Sequence, residues 1–66
     1  MFTEFNAAKL RGQIGALKAN HSHLRMAKLK VDGGFSYWLN WNSGEICLGV
    51  YASEEQMDEL LTQEGF

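Results

Sequence analysis

The 66 residues give room for one domain, which we place at 1–66, and 45% of them are hydrophobic, so a disordered chain is excluded. One cysteine, Cys47, excludes an internal disulfide, and no apolar run reaches the roughly 20 residues that cross a bilayer. The net charge of −2 is unevenly distributed, since all six basic residues lie in the first 30 positions and six of the eight acids follow position 44. The first residues do not fit the pattern of a secretory signal, because Glu4 and Asn6 interrupt the apolar run, and we expect a cytoplasmic protein.

The segment from about Thr3 to Asn20 predicts the first helix. Either Thr3 or Asn6 is a suitable N-cap, and Asn20 suits a left-handed position at the C-terminal end. Apolar residues recur on one side at helical spacing, namely Ala7, Leu10, Ile14 and Leu17.

A second side of this helix carries only small residues. Gly12 and Gly15 each weaken a helix interior by about 1 kcal/mol relative to alanine. With Ala8, Ala16 and Ala19 they form a surface that another backbone can approach closely. We expect this surface to pack on the sheet, with a helix of a second copy as the alternative.

The segment from Leu24 to Val31 predicts the first strand, with a continued helix as the alternative. Leu29 and Val31 alternate with Lys28 and Lys30, so we expect the two apolar residues to face inward. Leu24 and Met26 are out of phase with them, which indicates a β-bulge near Ala27.

Two hairpin turns then delimit two further strands. The glycines of Asp32-Gly33-Gly34 favour a tight turn, and Asn42-Ser43-Gly44-Glu45 predicts the second. Between the turns the chain alternates cleanly, and the predicted inward residues of both strands are Phe35, Tyr37, Leu39, Trp41, Ile46, Leu48 and Val50.

The last segment predicts a second helix that begins with a capping box. In Ser53-Glu54-Glu55-Gln56 the serine accepts a hydrogen bond from the backbone of Gln56, whose side chain reaches back. The residues predicted to face the core are Met57, Leu60 and Leu61, and Gly65 ends the helix. The fold class is therefore α+β, a three-stranded antiparallel meander between two helices (α-β-β-β-α), with both helices packed on one sheet face.

That packing leaves the other sheet face uncovered. Its predicted residues are Lys28, Lys30, Ser36, Trp38, Asn40, Cys47, Gly49 and Tyr51. Exposed aromatic residues are typical of interaction surfaces, so we expect a partner to bind at this face. The alternative is that Trp38 packs under a terminus, for example against Phe66.

No residue pattern in the chain is typical of an enzyme. His21 and His23 offer two metal ligands and Cys47 a third, but structural zinc sites need four, usually in close pairs. Cys47 lacks the glycine-rich turn and the oriented base that a nucleophile uses. We therefore expect no catalytic residues, no cofactor and no metal.

The charge pattern favours a protein-binding module. We expect the acidic second helix, through Glu54, Glu55, Asp58 and Glu59, to cover the basic surface of a nucleic-acid-handling protein. Phages and mobile elements encode many small domains of this kind, so we expect an inhibitor similar to those that act on CRISPR or restriction systems. Trp38, Asn40 and Tyr51 would supply a second contact or a homodimer interface.

Nucleic-acid binding is the alternative function. In this hypothesis Trp38 stacks on bases while Arg25, Lys28 and Lys30 hold phosphates. The element order resembles that of double-stranded RNA-binding domains, whose last helix starts with lysines. Here that helix starts with Ser53-Glu54-Glu55, which repels phosphate. Integrase arm domains are similar in their three-stranded sheet, but the arginine-rich sheet face is missing.

Overall fold

The computed structural model describes residues Met1–Phe66. Its elements are α1 (Ala7–Asn20), β1 (Arg25–Val31), β2 (Gly34–Trp41), β3 (Gly44–Tyr51) and α2 (Glu55–Gln63). The strands form one antiparallel sheet in the order β1-β2-β3, so β2 is central and β1 and β3 are its edges. The predicted α-β-β-β-α fold is confirmed, and the alternative of a helix through 24–31 is wrong.

Helix α1 begins four residues later than predicted. The side chain of Asn6 caps it by accepting a hydrogen bond from the backbone N–H of Lys9 at 3.1 Å. Thr3 instead pairs with β3, because its N–H donates to the Val50 carbonyl at 2.6 Å and its Oγ1 accepts from the Val50 N–H at 3.1 Å. The segment before α1 therefore contacts the outer edge of β3 through Thr3. At the other end the left-handed backbone lies at His23, with φ 58°, and not at Asn20.

The small-residue side of α1 does not contact the sheet, so that prediction is wrong. Gly12 and Gly15 are exposed, and a Cβ atom built on either would have no neighbour within 4 Å. The sheet-facing side is the apolar one, where Leu10 and Ile14 are buried.

Strand β1 presents its residues on the faces opposite to those predicted. The register pairs are Val31 with Gly34, Lys30 with Phe35, and Lys28 with Tyr37. Directly paired residues of antiparallel strands share a face. Lys28 and Lys30 therefore lie on the helix-covered face, and Leu29 and Val31 lie on the other.

The only register irregularity of the sheet is a β-bulge at Leu48. The pairs on either side of it are Tyr37 with Gly49 and Trp38 with Cys47. An extra residue shifts the alternation of the strand by one position. Tyr51 consequently turns into the core and Val50 turns to the uncovered face, so both orientation predictions are wrong. The bulge predicted near Ala27 is also wrong.

The hydrophobic core lies between the two helices and one face of β2 and β3. Its buried members are Leu10, Ile14, Tyr37, Leu39, Leu48, Tyr51, Met57, Leu60 and Leu61. Since both helices contribute to this single cluster, the other face of the sheet has no helix over it. Neither α1 nor α2 combines the length and the hydrophobicity that a membrane-spanning helix requires.

Helix α2 starts without the predicted capping box. The Ser53 hydroxyl accepts from the N–H of Glu55 at 3.4 Å and not from Gln56, and Glu54 occupies the cap position without a side-chain hydrogen bond. The chain leaves the helix through Gly65, whose φ is 95°. Phe66 then packs against the core on the helix side of the sheet. The predicted alternative, in which Phe66 covers the indole of Trp38, is therefore wrong.

Candidate functional site

The uncovered side of the sheet, called the open face below, is the most distinctive surface of the molecule. Its members follow from the register and the alternation of each strand: Arg25, Ala27, Leu29 and Val31 of β1, Ser36, Trp38 and Asn40 of β2, and Glu45, Cys47 and Val50 of β3. Apart from Arg25 and Glu45 at one end, this surface carries no charge.

Trp38 lies at the centre of the open face. Its indole Nε1 donates to the hydroxyl of Ser36 at 2.7 Å, which holds the ring along β2 instead of upright from the sheet. Its cross-strand neighbours, Ala27 and Cys47, are small and leave space on both sides. Ser36 is only 6% exposed, although no helix covers it. The indole is therefore half-buried with its hydrogen bond satisfied, and its remaining surface is free to contact a partner.

Apolar residues of β1 extend the surface around Trp38 to the sheet edge. Leu29 is 57% exposed, the highest value among the large apolar residues of the strands, and Val31 is 36% exposed, the same as Met26. Phe2 adds to the far end, because its ring occupies the space that a side chain at Gly34 would take. Sequence reasoning missed Leu29, Val31 and Val50 as members of this surface, because it placed them in the core.

The two lysines predicted beside Trp38 lie on the other side of the sheet. Lys28 donates to Glu54 Oε2 at 2.6 Å and to Asp58 Oδ2 at 3.4 Å, and its Nζ lies 5.7 Å from the ring centre of Phe35. The hydrogen bond with Glu54 raises the pKa of Lys28 above its ordinary value. Of the cations assigned to the nucleic-acid hypothesis, only Arg25 shares the face of Trp38.

Tyr51 was predicted on the binding surface but is a core residue. Its hydroxyl donates to the carbonyl of Leu48 at 2.8 Å, and its ring packs edge-to-face with those of Phe5 and Tyr37. Burial raises the pKa of the Tyr51 phenol. Only two of the three residues predicted for the sheet contact, Trp38 and Asn40, lie on the open face.

The four predicted acidic residues divide into two pairs. Glu54 and Asp58 are bonded to Lys28, and Asp58 also accepts from the Tyr37 hydroxyl at 2.8 Å. Glu55 and Glu59 are exposed and make no ion pair. Two of the four predicted carboxylates are thus unpaired, while the other two share the single positive charge of Lys28.

The histidines and the cysteine serve other contacts. The His21 ring stacks on Trp41 with centroids 4.1 Å apart and planes at 16°. The exposed Cys47 accepts from the Gly49 N–H through its Sγ at 3.3 Å. No three His, Cys, Asp or Glu side chains are grouped so that they could hold a metal ion.

A groove of about 200 Å³ lies between α1 and α2, and four other open concavities of about 220 to 430 Å³ lie elsewhere on the surface. Arg11 crosses the groove and donates to Gln63 Oε1 at 3.2 Å, while Phe5 and Leu60 form its apolar floor. It is smaller than the several hundred Å³ that enclose a typical small-molecule ligand.

Comparison of the chain with protein-family models, with curated proteins and with solved structures finds no match. The residues of the open face are therefore the features of this chain from which a function can be proposed.

Proposed function

We propose that this chain is a non-enzymatic protein-binding module that contacts its partner through the open face. The exposure of Leu29 and Val31 beside Trp38 carries the proposal. Contiguous apolar surface of this kind mostly marks an interaction site, and tryptophan is among the residues that contribute most to binding energy. The free, exposed Cys47 suits a reducing, cytoplasmic setting.

The chemistry of the open face favours a protein over a nucleic acid as partner. Phosphate backbones are held by lysine and arginine, and affinity for them depends on several such contacts. The open face has a single basic residue, Arg25, at its end. An apolar centre with few charges at the rim is instead the usual anatomy of a protein–protein interface.

A charge placed in the middle of the open face tests this proposal. In Leu29→Glu a carboxylate would have to be desolvated on binding, so we expect partner capture from nuclease-treated lysate to fall at least about tenfold. The matched control is Met26→Glu, since Met26 lies on the same strand with 36% exposure but on the helix side. Equal capture by both variants would exclude the open face as the contact surface.

The unpaired carboxylates of α2 favour a second candidate function, in which the chain is an inhibitor of the kind that phages encode. Glu55 and Glu59 would then cover the basic surface of a nucleic-acid-handling protein. We expect Glu55→Lys with Glu59→Lys to weaken such a complex about tenfold at low salt, and less at high salt. An affinity that does not change would remove this candidate and leave the open face as the binding surface.

A further inference from the structure

The open face is self-complementary across its three strands. One row contains Arg25, Asn40 and Glu45, the next Ala27, Trp38 and Cys47, and the third Leu29, Ser36 and Val50. In the first row the two edge residues carry opposite charges on either side of a neutral amide. In the third row both edge residues are branched and apolar. Each of these three rows therefore matches its own reverse in chemical character, whereas the last pair of the face, Val31 and Gly34, has no partner in β3.

Two copies of this sheet can face each other about a two-fold axis in two simple orientations. With the axis along β2, β1 of one copy lies over β3 of the other. Each of the three rows then lies over the same row of the second copy, read from the opposite edge. With the axis across the strands, β1 lies over β1 and the first row meets the opposite end of the sheet. The second orientation sets Arg25 over Val31 and leaves its charge unpaired, which is unfavourable in a desolvated contact.

We propose that the occupant of the open face is a second copy of this chain, related by a two-fold axis parallel to β2. This inference rests on the proposed protein-binding function of that face. The axis brings Arg25 of each copy to Glu45 of the other, so two ion pairs form at one rim. Leu29 lies over Val50, and the two Trp38 rings meet at the axis. Stacked sheets lie about 10 Å apart, a gap suited to two indoles that are held down along their strands.

The size of the sheet sets the expected strength of this dimer. Three strands spaced about 4.8 Å apart, each of seven or eight residues, cover only about 300 Å² of flat surface. Counted on both copies this is about 600 Å², less than the roughly 1,200 Å² at which specific, stable interfaces begin, so the strands alone support only a weak, transient contact. We therefore expect a dimer with a dissociation constant in the micromolar range or weaker, which forms and separates within an accessible concentration range.

Charge reversal at the rim is the most specific test of the axis. Within one copy, Arg25 and Glu45 lie on opposite edge strands and neither makes an ion pair, so reversing them removes no internal contact. We expect Arg25→Glu or Glu45→Arg alone to raise the dimer dissociation constant about tenfold, because each creates two like-charge contacts. The double reversal should restore the original value. Sedimentation equilibrium from micromolar to millimolar concentration measures all four chains.

The controls make the same charge changes on the helix side. Lys9→Glu and Glu59→Arg should leave the dissociation constant unchanged, and circular dichroism should show the same fold for every variant. A chain that stays monomeric at millimolar concentration overturns the inference, and so does a dimer that neither single reversal weakens. If a monomeric chain still captures a different protein, and Leu29→Glu abolishes that capture, the proposed function stands and only the second copy is excluded.

Discussion

The buried hydroxyl of Tyr37 links the centre of the sheet to α2. The ring is fully buried, and its hydroxyl donates to Asp58 Oδ1 at 2.8 Å. Lys28 holds the other oxygen of the same carboxylate at 3.4 Å, so Asp58 joins β1, β2 and α2. A hydrogen bond to a charged group contributes more than one between neutral groups.

We therefore expect Tyr37→Phe to lower the free energy of unfolding by about 1.5–3 kcal/mol. Tyr51→Phe is the matched control, because it loses a bond to a neutral backbone carbonyl and should lower stability by only about 1 kcal/mol. Urea unfolding of both variants gives the comparison. Equal losses would mean that the Asp58 carboxylate adds nothing to the bond.

The buried, hydrogen-bonded hydroxyl of Tyr37 also predicts a loss of folding stability at alkaline pH. Burial, and then the bond to Asp58, raise the pKa of Tyr37 well above its ordinary value of 10.0. Because the folded state favours the neutral phenol, this contribution is complete below pH 10 and is lost as the pH rises toward the folded pKa. Unfolding measured from pH 8 to 12 should show a decline that is smaller in Tyr37→Phe. Lys28, whose pKa is also raised, contributes a decline in both chains.

At the scale of the elements, α1 contains two glycines that its packing does not require. A Cβ at Gly15 would have no neighbour within 4 Å, and the residue is exposed in the middle of the helix. Gly15→Ala should therefore raise the free energy of unfolding by about 0.5–1 kcal/mol, which for a domain of this size adds several degrees to Tm. Thermal unfolding measures the shift. A loss of stability would indicate that the exposed side of α1 packs against another chain.

The glycine after the bulge of β3 gives the opposite prediction. Gly49 has a φ of 125°, and a Cβ there would lie 2.7 Å from Thr3 Oγ1 and 2.9 Å from the Tyr51 hydroxyl. Gly49→Ala should lower the free energy of unfolding by about 1–3 kcal/mol through backbone strain, with the close contacts adding to it. A variant as stable as the original would show that β3 and its bulge can rearrange around the new side chain.

The existence and order of the elements could be predicted from the sequence, whereas the faces of two strands could not be assigned from their hydrophobic pattern. β2 alternates cleanly, so Trp38 and Asn40 were assigned correctly. In β1 the alternation of Leu29 and Val31 predicts that both face inward, whereas the two-residue turn at 32–33 fixes the register and places both on the open face. Counting residues back from that turn predicts the observed orientation of Leu29 and Val31. The bulge at Leu48 has a local signal as well, since Gly49 directly follows it with a φ of 125° and an isolated glycine within a strand is typical of a bulge.

At the scale of the whole molecule, the hydrophobic core and the proposed binding surface lie on opposite sides of one sheet. Every buried member of the core lies on the helix side or in the bulge that turns toward it. The exposed apolar residues of β1 gain little from folding, since free energy follows the area removed from water. Leu29 and Val31 therefore add little to the stability of a monomer, while their exposed apolar surface increases the hazard of aggregation.

Replacing Leu29 and Val31 should therefore leave the folding stability of the monomer unchanged while removing the proposed binding surface. We expect Leu29→Ser with Val31→Ser to change the free energy of unfolding of the dilute chain by less than about 0.5 kcal/mol for each site, as for other exposed positions. Leu39→Ala, fully buried on the neighbouring strand, should cost about 2–5 kcal/mol. The double variant should also be more soluble than the original chain. If it is instead as unstable as Leu39→Ala, the open face supports the fold of the single chain and its apolar surface is not evidence of a partner.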